Sequence, residues 1–434
     1  MTRWVVIVAL LPAVVLPAGA AAATPWQPPV ALSSPAGPLT PGPQVAVAGN
    51  GAVAVAWLRA VGGLGLTNTV EVARRARPAG RFAPPLELDR LEGLTQGPVV
   101  SLAADGSGTA AWVRERRPWL ARVPPSGPAT GVASVPGAGI AEDLSIGVDR
   151  AGTAILLFTE RDFPATSPEP TVEAAERPAG SVAVSAPLAL SPPGATEPAL
   201  AVAPDGRAVA AWIGPDRRVW AASRDPATAW QPAVRISGPG PARGVAVAIG
   251  ELGDAAVSWF ERAPMVALRA RTGSWSPAEA VAPAAPLPPG APAAVAIAPL
   301  GDAVAVAWRE SPAPLALKVA WRGNPARPWR VSPIARAAGN VGPPRLVMAR
   351  SGDALVMWTH PLAGGSQIRA RRVPRGGPLG PVERVSTGSG PRLFPSVAIG
   401  AGGTITAAWV ARQPATTPSP KLRFVASTRR AILP

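Results

Sequence analysis

The chain has 434 residues, 47% of them hydrophobic, which excludes a chain left unfolded for want of apolar side chains. It has no Cys, which excludes disulfides, thiolate catalysis, Cys-ligated metals and a lipid-modified N-terminal Cys. With 42 basic and 26 acidic residues its formal net charge is +16, carried almost wholly by Arg because Lys stands only at 318 and 421. Such a charge has two possible origins: a coding bias that enriches Ala, Arg, Pro and Gly together, or attraction to polyanions.

From the N-terminus, residues 1–23 read as a signal peptide. Arg3 supplies the positive start, Trp4 to Leu16 the apolar stretch broken by Pro12, and Gly19 to Ala23 several Ala-x-Ala cleavage frames. The expectation is a secreted protein, extracellular or associated with the cell envelope. No later stretch reaches 18 uninterrupted apolar residues, so no transmembrane anchor is expected after cleavage. Residues 24–434 are expected to form a single domain.

The next segment, Trp26-Gln-Pro-Pro-Val-Ala-Leu-Ser33, is echoed much later by Trp230-Gln-Pro-Ala-Val-Arg-Ile-Ser237. Between and beyond these copies a longer sentence recurs, for example Ala199-Leu-Ala-Val-Ala-Pro-Asp-Gly-Arg-Ala-Val-Ala-Ala-Trp212. Its copies end at Trp57, Trp112, Phe158, Trp212, Trp259, Trp308, Trp358 and Trp409, a period near 50 residues. Each unit opens on an apolar run such as Val45–Ala48 or Val295–Ala298, expected to be a strand buried on both faces. A turn follows: Asn50-Gly51, Asp105-Gly106 and Asp205-Gly206 are read as two-residue hairpin turns, while Gly253-Asp254, Gly301-Asp302 and Gly352-Asp353 do similar work in another turn type. Its Asp is expected to hydrogen-bond the turn backbone and not to bind metal.

A second strand then carries the repeated aromatic, expected to be a packing wedge. Third strands are expected at Thr69–Ala73, Val219–Ser223 and Ile368–Arg372, and fourth strands at Leu86–Leu88, Val234–Ser237 and Val382–Ser386. The last unit stops after its third strand, Lys421–Ser427, so Trp26–Ser33 should supply the missing fourth. Eight units and this complementary deficit predict an all-β fold: one eight-bladed β-propeller of four-stranded blades, closed by the N-terminal strand. The third unit, with Phe158 and an acidic insertion over Asp162–Glu176, is the least regular.

Val202-Ala-Pro-Asp-Gly-Arg-Ala-Val-Ala resembles the first hairpin of WD40-type propellers, and the Asp–Gly–aromatic rhythm resembles the Asp-box repeats of sialidase-like propellers. The Trp-Asp dipeptide and Gly-His pair of the former are missing, as is a full Ser-x-Asp-x-Gly-x-Thr-Trp box. The resemblance implies architecture only. Sialidases use a Tyr nucleophile, and this chain contains no Tyr.

Chemistry is sparse. The single His, His360, cannot build a multi-His metal site, and no Gly-x-Ser-x-Gly elbow exposes a nucleophile. Neither a metal nor another cofactor is expected, and no catalytic residue is assigned. Paired carboxylates, Glu142 with Asp143 and Glu160 with Asp162, are the candidates for glycoside chemistry. One pattern recurs outside the core: Arg59, Arg114, Arg217, Arg262, Arg309 and Arg412 follow the repeated aromatics, in the connections from second to third strands. An Arg-lined rim would bind carboxylate, sulfate or phosphate through forked hydrogen bonds. The function expected is therefore a secreted, non-enzymatic binding or scaffold protein. Its expected partner is an anionic polysaccharide, a wall polymer or a surface protein, and not nucleic acid. The alternative is a carbohydrate-active hydrolase or lyase with a carboxylate and Arg pocket.

Overall fold

Short Val- and Ala-rich runs separated by Gly and Pro cannot bury themselves alone, and each unit solves this as a four-stranded antiparallel sheet. A computed structural model describes residues 25–35, 41–61, 67–92, 96–161, 169–284, 293–311, 315–324, 326–337, 339, 341–388, 390–412 and 422–430. Residues 1–23, read above as a signal peptide, Asp162, Lys421 and residues 431–434 lie outside the described residues.

Among the described residues there is no helix, and eight four-stranded sheets follow one another around a ring. Blade one runs Gln44–Val47, Val53–Val61, Thr67–Arg75, Leu86–Glu92. Blades two to seven span residues 99–134, 140–189, 196–235, 243–280, 294–337 and 345–384. Blade eight takes Arg392–Ile399, Thr404–Arg412 and Leu422–Arg430 from the C-terminal end and Val30–Ala31 from the N-terminal end. The first strand of each blade touches that of the next, and blade eight returns to blade one.

The closure is well bonded. Val30 and Ala31 pair with Ala426 and Val425, and flanking bonds run from Gln27 N to Thr428 O (2.9 Å) and from Leu32 N to Phe424 O (2.8 Å). Trp57 of blade one stacks on Phe424 of blade eight with ring centroids 5.3 Å apart.

Two sequence expectations are corrected. The first strands are half-buried over much of their length, because the ring leaves their inner edge facing the axis; it is the second strands that are buried over most of their length, Ala208–Ile213 throughout. The repeated turn is also not a two-residue hairpin with two positive φ values. Ala203 N bonds Arg207 O and Gly206 N bonds Ala203 O, while only Gly206 has positive φ (+93°). This is a three-residue loop, a tight turn closed by one left-handed Gly. The turn Asp does cap its own backbone: Asp205 Oδ1 accepts from Arg207 N (3.0 Å) and Asp105 Oδ1 from Ser107 N (2.9 Å). In blade three, the later part of the insertion read over Asp162–Glu176 is the third strand, Thr171–Arg177.

All eight repeated aromatics are buried, Trp57, Trp112, Phe158, Trp259, Trp308 and Trp358 with no exposed surface at all. Trp212 packs among Leu157, Val172 and Ala195 of blade three, so it wedges adjacent sheets apart at a fixed spacing.

Five Arg side chains go into the same seams. At the third-strand position opposite the start of the second strand stand Arg75, Arg177, Arg224, Arg269 and Arg322, all buried. Four of them make hydrogen bonds back to the preceding blade. Arg75 reaches Thr428 (2.6 Å) and Thr406 (3.2 Å), and Arg177 reaches Thr109 (2.6 Å). Arg224 reaches Glu176 (2.5 Å), and Arg322 reaches Glu279 (2.6 Å). Burial draws the Arg177 guanidinium down to about 10, with nearby Arg122 adding to the shift.

Candidate functional site

The second strands end on one rim, and the residues after each repeated aromatic emerge there. Arg59 and Arg309 lie within second strands and Arg114 and Arg412 at their last positions, while Arg217 and Arg262 lie in the connections. The sequence had placed all six in connections; the strands run further because the third strands pair with them to the rim.

Three of the six are committed to structure. Trp57 donates its indole N–H to Glu71 Oε2 (2.9 Å), and Arg59 Nε donates to Glu71 Oε1 (2.6 Å). Trp112 donates to Asp89 Oδ2 (2.7 Å), whose Oδ1 receives Arg114 Nη1 (3.3 Å); the Arg114 guanidinium also lies over the Trp119 ring, 5.0 Å from its centroid. Blade six repeats the theme as Trp308 to Glu310 (3.1 Å) and Glu310 to Lys318 (2.8 Å). An indole, a carboxylate and a cation thus recur as one unit. The carboxylate satisfies a buried N–H and is itself neutralised at the rim. Arg309 donates to Val341 O (2.5 Å). Arg217, Arg262 and Arg412 are exposed.

Across blades one, two and three this rim holds a cleft of about 880 Å³. Arg90, Arg114, Arg116 and Arg161 line it together with Glu92, Glu115 and Glu142. The first strand of blade three bulges between Glu142 and Ser145, with Asp143 in the left-handed region (φ +54°). Its backbone N–H is taken by Gln96 Oε1 (2.9 Å). Burial, then the charge of Glu142, holds the Asp143 carboxyl above the usual carboxylate range, with a Thr159 hydrogen bond and Arg161 pulling the other way. Glu142 lies 3.9 Å from Arg161, and Glu160 accepts from Gly139 N (2.7 Å). Comparable bulges occur at Glu197, Gly244 and Phe394, all with positive φ. The Glu197 carboxylate takes the backbone N–H groups of Gly244 and Val245, tying blade four to blade five.

The other mouth of the ring is built from the first-to-second-strand turns. A cavity of about 390 Å³ there is lined by residues from all eight blades, and Arg350 of blade seven pairs with Glu251 of blade five across blade six. His360 belongs to the second strand of blade seven, and burial and Arg369 lower its affinity for a proton. Among the described residues no three His, Asp or Glu side chains gather as a metal site, and no helix is long and apolar enough to cross a membrane.

No protein-family model matches the chain, and no curated protein does. Solved structures do. The BP39L lectin from Burkholderia pseudomallei is 16% identical with a TM-score of 0.57, over 80% of this chain and all of that one. A fungal alcohol oxidase of the AA5 family, in complex with copper, is 11% identical with a TM-score of 0.51, over 94% of this chain and 76% of its own. The polysaccharide lyase Uly1 is 11% identical with a TM-score of 0.50, over 90% of each chain. At these identities the likeness is one of fold: the chain is an eight-bladed β-propeller, a class that carries unrelated activities.

Proposed function

We propose that this propeller is a secreted binding module that holds an anionic polysaccharide or wall polymer of the cell envelope on its second-strand rim. The observation that carries the reading is the exposure of Arg217, Arg262 and Arg412 on the same rim as the cleft around Arg90, Arg116 and Arg161. Guanidinium groups on a rigid ring offer forked donors at fixed spacing, which suits a polymer of repeated carboxylate or sulfate groups. Arg59, Arg114 and Arg309 contribute by holding the rim's shape. The lectin and the polysaccharide lyase among the structural neighbours are named for carbohydrate, the class this reading assigns.

A second reading, a carbohydrate-active enzyme, draws on one observation: Asp143, with its raised proton affinity, adjoins Glu142, which lines the cleft. The experiment that tests both is incubation of the protein with a panel of immobilised acidic and neutral polysaccharides, scoring retention and released sugar together. Retention on acidic polymers without release is the expected result. Release that Glu142→Gln or Asp143→Asn abolishes would replace the binding reading with the enzymatic one.

A further inference from the structure

The groove between blades five and six opens on the face away from the Arg rim and holds a cavity of about 590 Å³. Leu268, Ile297 and Val304 give it an apolar floor, and Asp254, Glu279 and Arg322 bring charge to its walls.

Blade seven has the same framework and shows what is different here. There Asp353 accepts the backbone N–H of Arg375 (2.8 Å) and the guanidinium of Arg372, so both carboxylate oxygens are used. Asp254 is its counterpart and accepts the backbone N–H of Arg271 (3.2 Å). Register fixes the counterpart of Arg372: Leu355 pairs with Arg372 in blade seven as Ala256 pairs with Leu268 in blade five. A Leu thus replaces the Arg that pairs with the Asp in blade seven, and Arg271 is the cation left beside Asp254. The replacement leaves space above the strand, and it leaves Asp254 Oδ2 buried with no hydrogen bond, 3.5 Å from Arg271 Nη2. Gly301 of blade six has φ +75° and comes so near that a Cβ there would lie 2.5 Å from this oxygen. On the other wall Arg322 is 6% exposed and is held by Glu279 and by the Trp329 ring at 4.4 Å, and its Nε is buried without a partner.

We propose that this groove binds one neutral pyranose unit of a glycan, through hydroxyls that donate to Asp254 and accept from Arg322. One carboxylate oxygen of Asp254 and the Nε of Arg322 are buried without a hydrogen bond, which is costly, and a sugar hydroxyl can serve either. The apolar floor suits the C–H face of the ring, and the volume lies in the range of small-molecule sites, about 300–1,000 Å³. Two carboxylates, Asp254 and Glu279, and two guanidiniums, Arg269 and Arg322, line the groove, so its charge is balanced and suits a neutral polar ligand, while a purely apolar one would leave Asp254 Oδ2 without a hydrogen bond. The site differs from the Arg rim in position and in ligand charge, so either can fail while the other stands.

The test is saturation-transfer NMR on the full chain with a panel of neutral methyl glycosides at millimolar concentration. At least one glycoside should give saturation transfer to its ring protons. Asp254→Ala should weaken that binding about tenfold or more. Leu268→Arg, which rebuilds blade seven's ion pair and fills the cavity, should abolish it. Both variants should keep the parent melting transition and the parent retention on acidic polysaccharide. Absence of any glycoside signal would overturn the proposal, as would full binding by the folded Leu268→Arg protein. Saturation of the groove by a simple alkylammonium salt in place of glycosides would overturn it as well.

Discussion

Trp212 shows how one residue sets the spacing of two sheets: its indole fills the seam between blades three and four and is 1% exposed. Trp212→Ala should destabilise the protein by about 3–5 kcal/mol, measured by denaturant unfolding, as buried aromatic truncations do. Unchanged stability with a lost binding activity would make the Trp a ligand platform. Arg177 is the polar counterpart, tied to Thr109 and to Gly131 O (3.2 Å) of blade two. Arg177→Ala should cost about 3 kcal/mol, from a cavity plus an unpaired buried hydroxyl, and Arg177→Met, which keeps most of the volume, clearly less. Equal losses would mean the hydrogen bonds outweigh the packing.

Asp143 gives a pH prediction. Its folded-state proton affinity is raised, so its ionised form costs stability at neutral pH, and the cost disappears as pH falls through the folded pKa. Asp143→Asn, also suited to positive φ, should raise the melting temperature at pH 7 and leave it nearly unchanged near pH 3. The opposite order would contradict the raised proton affinity of this carboxyl. At this scale the sequence was legible where a residue type repeats in register, as with the eight aromatics. It was silent on Arg177, whose partner lies 68 positions earlier and is found only once the seam exists.

At the scale of elements, strand order, the split last blade and the aromatic-bearing second strands were all readable from alternation and spacing. Bulges were not, because one extra residue in a first strand leaves no mark on an Ala- and Val-rich pattern. The turn was misread for a similar reason: Asp-Gly suits two hairpin types, and only the pairing of Ala203 with Arg207 decides between them. The N-terminal strand is two residues long in the sheet, yet Ser33 and Gln27 bond the last strand on either side of it. Removing residues 25–34 should expose the edge of Leu422–Arg430 and lower the melting temperature markedly or cause aggregation. A melting curve that did not move would mean that the ring closes without this strand.

For the whole molecule, the excess of Arg includes two populations that composition could not separate. One is buried in the blade seams, where Arg75, Arg177, Arg224 and Arg322 bond the neighbouring blade. The other stands exposed on the second-strand rim. The sequence pointed to that rim because its Arg residues follow the aromatics. It could not show that Arg59 and Arg114 are held by Glu71 and Asp89, which join them only through strand pairing and blade contact. The most direct test of rim binding is retention of the protein on an immobilised acidic polysaccharide as salt is raised, beside the variant Arg217→Gln/Arg262→Gln/Arg412→Gln. Exposed charges are screened over about 8 Å at physiological ionic strength, so parent retention should fall steeply with salt. The variant, equally stable, should elute earlier at every salt concentration. Coincident elution of the two proteins, or retention indifferent to salt, would contradict the account.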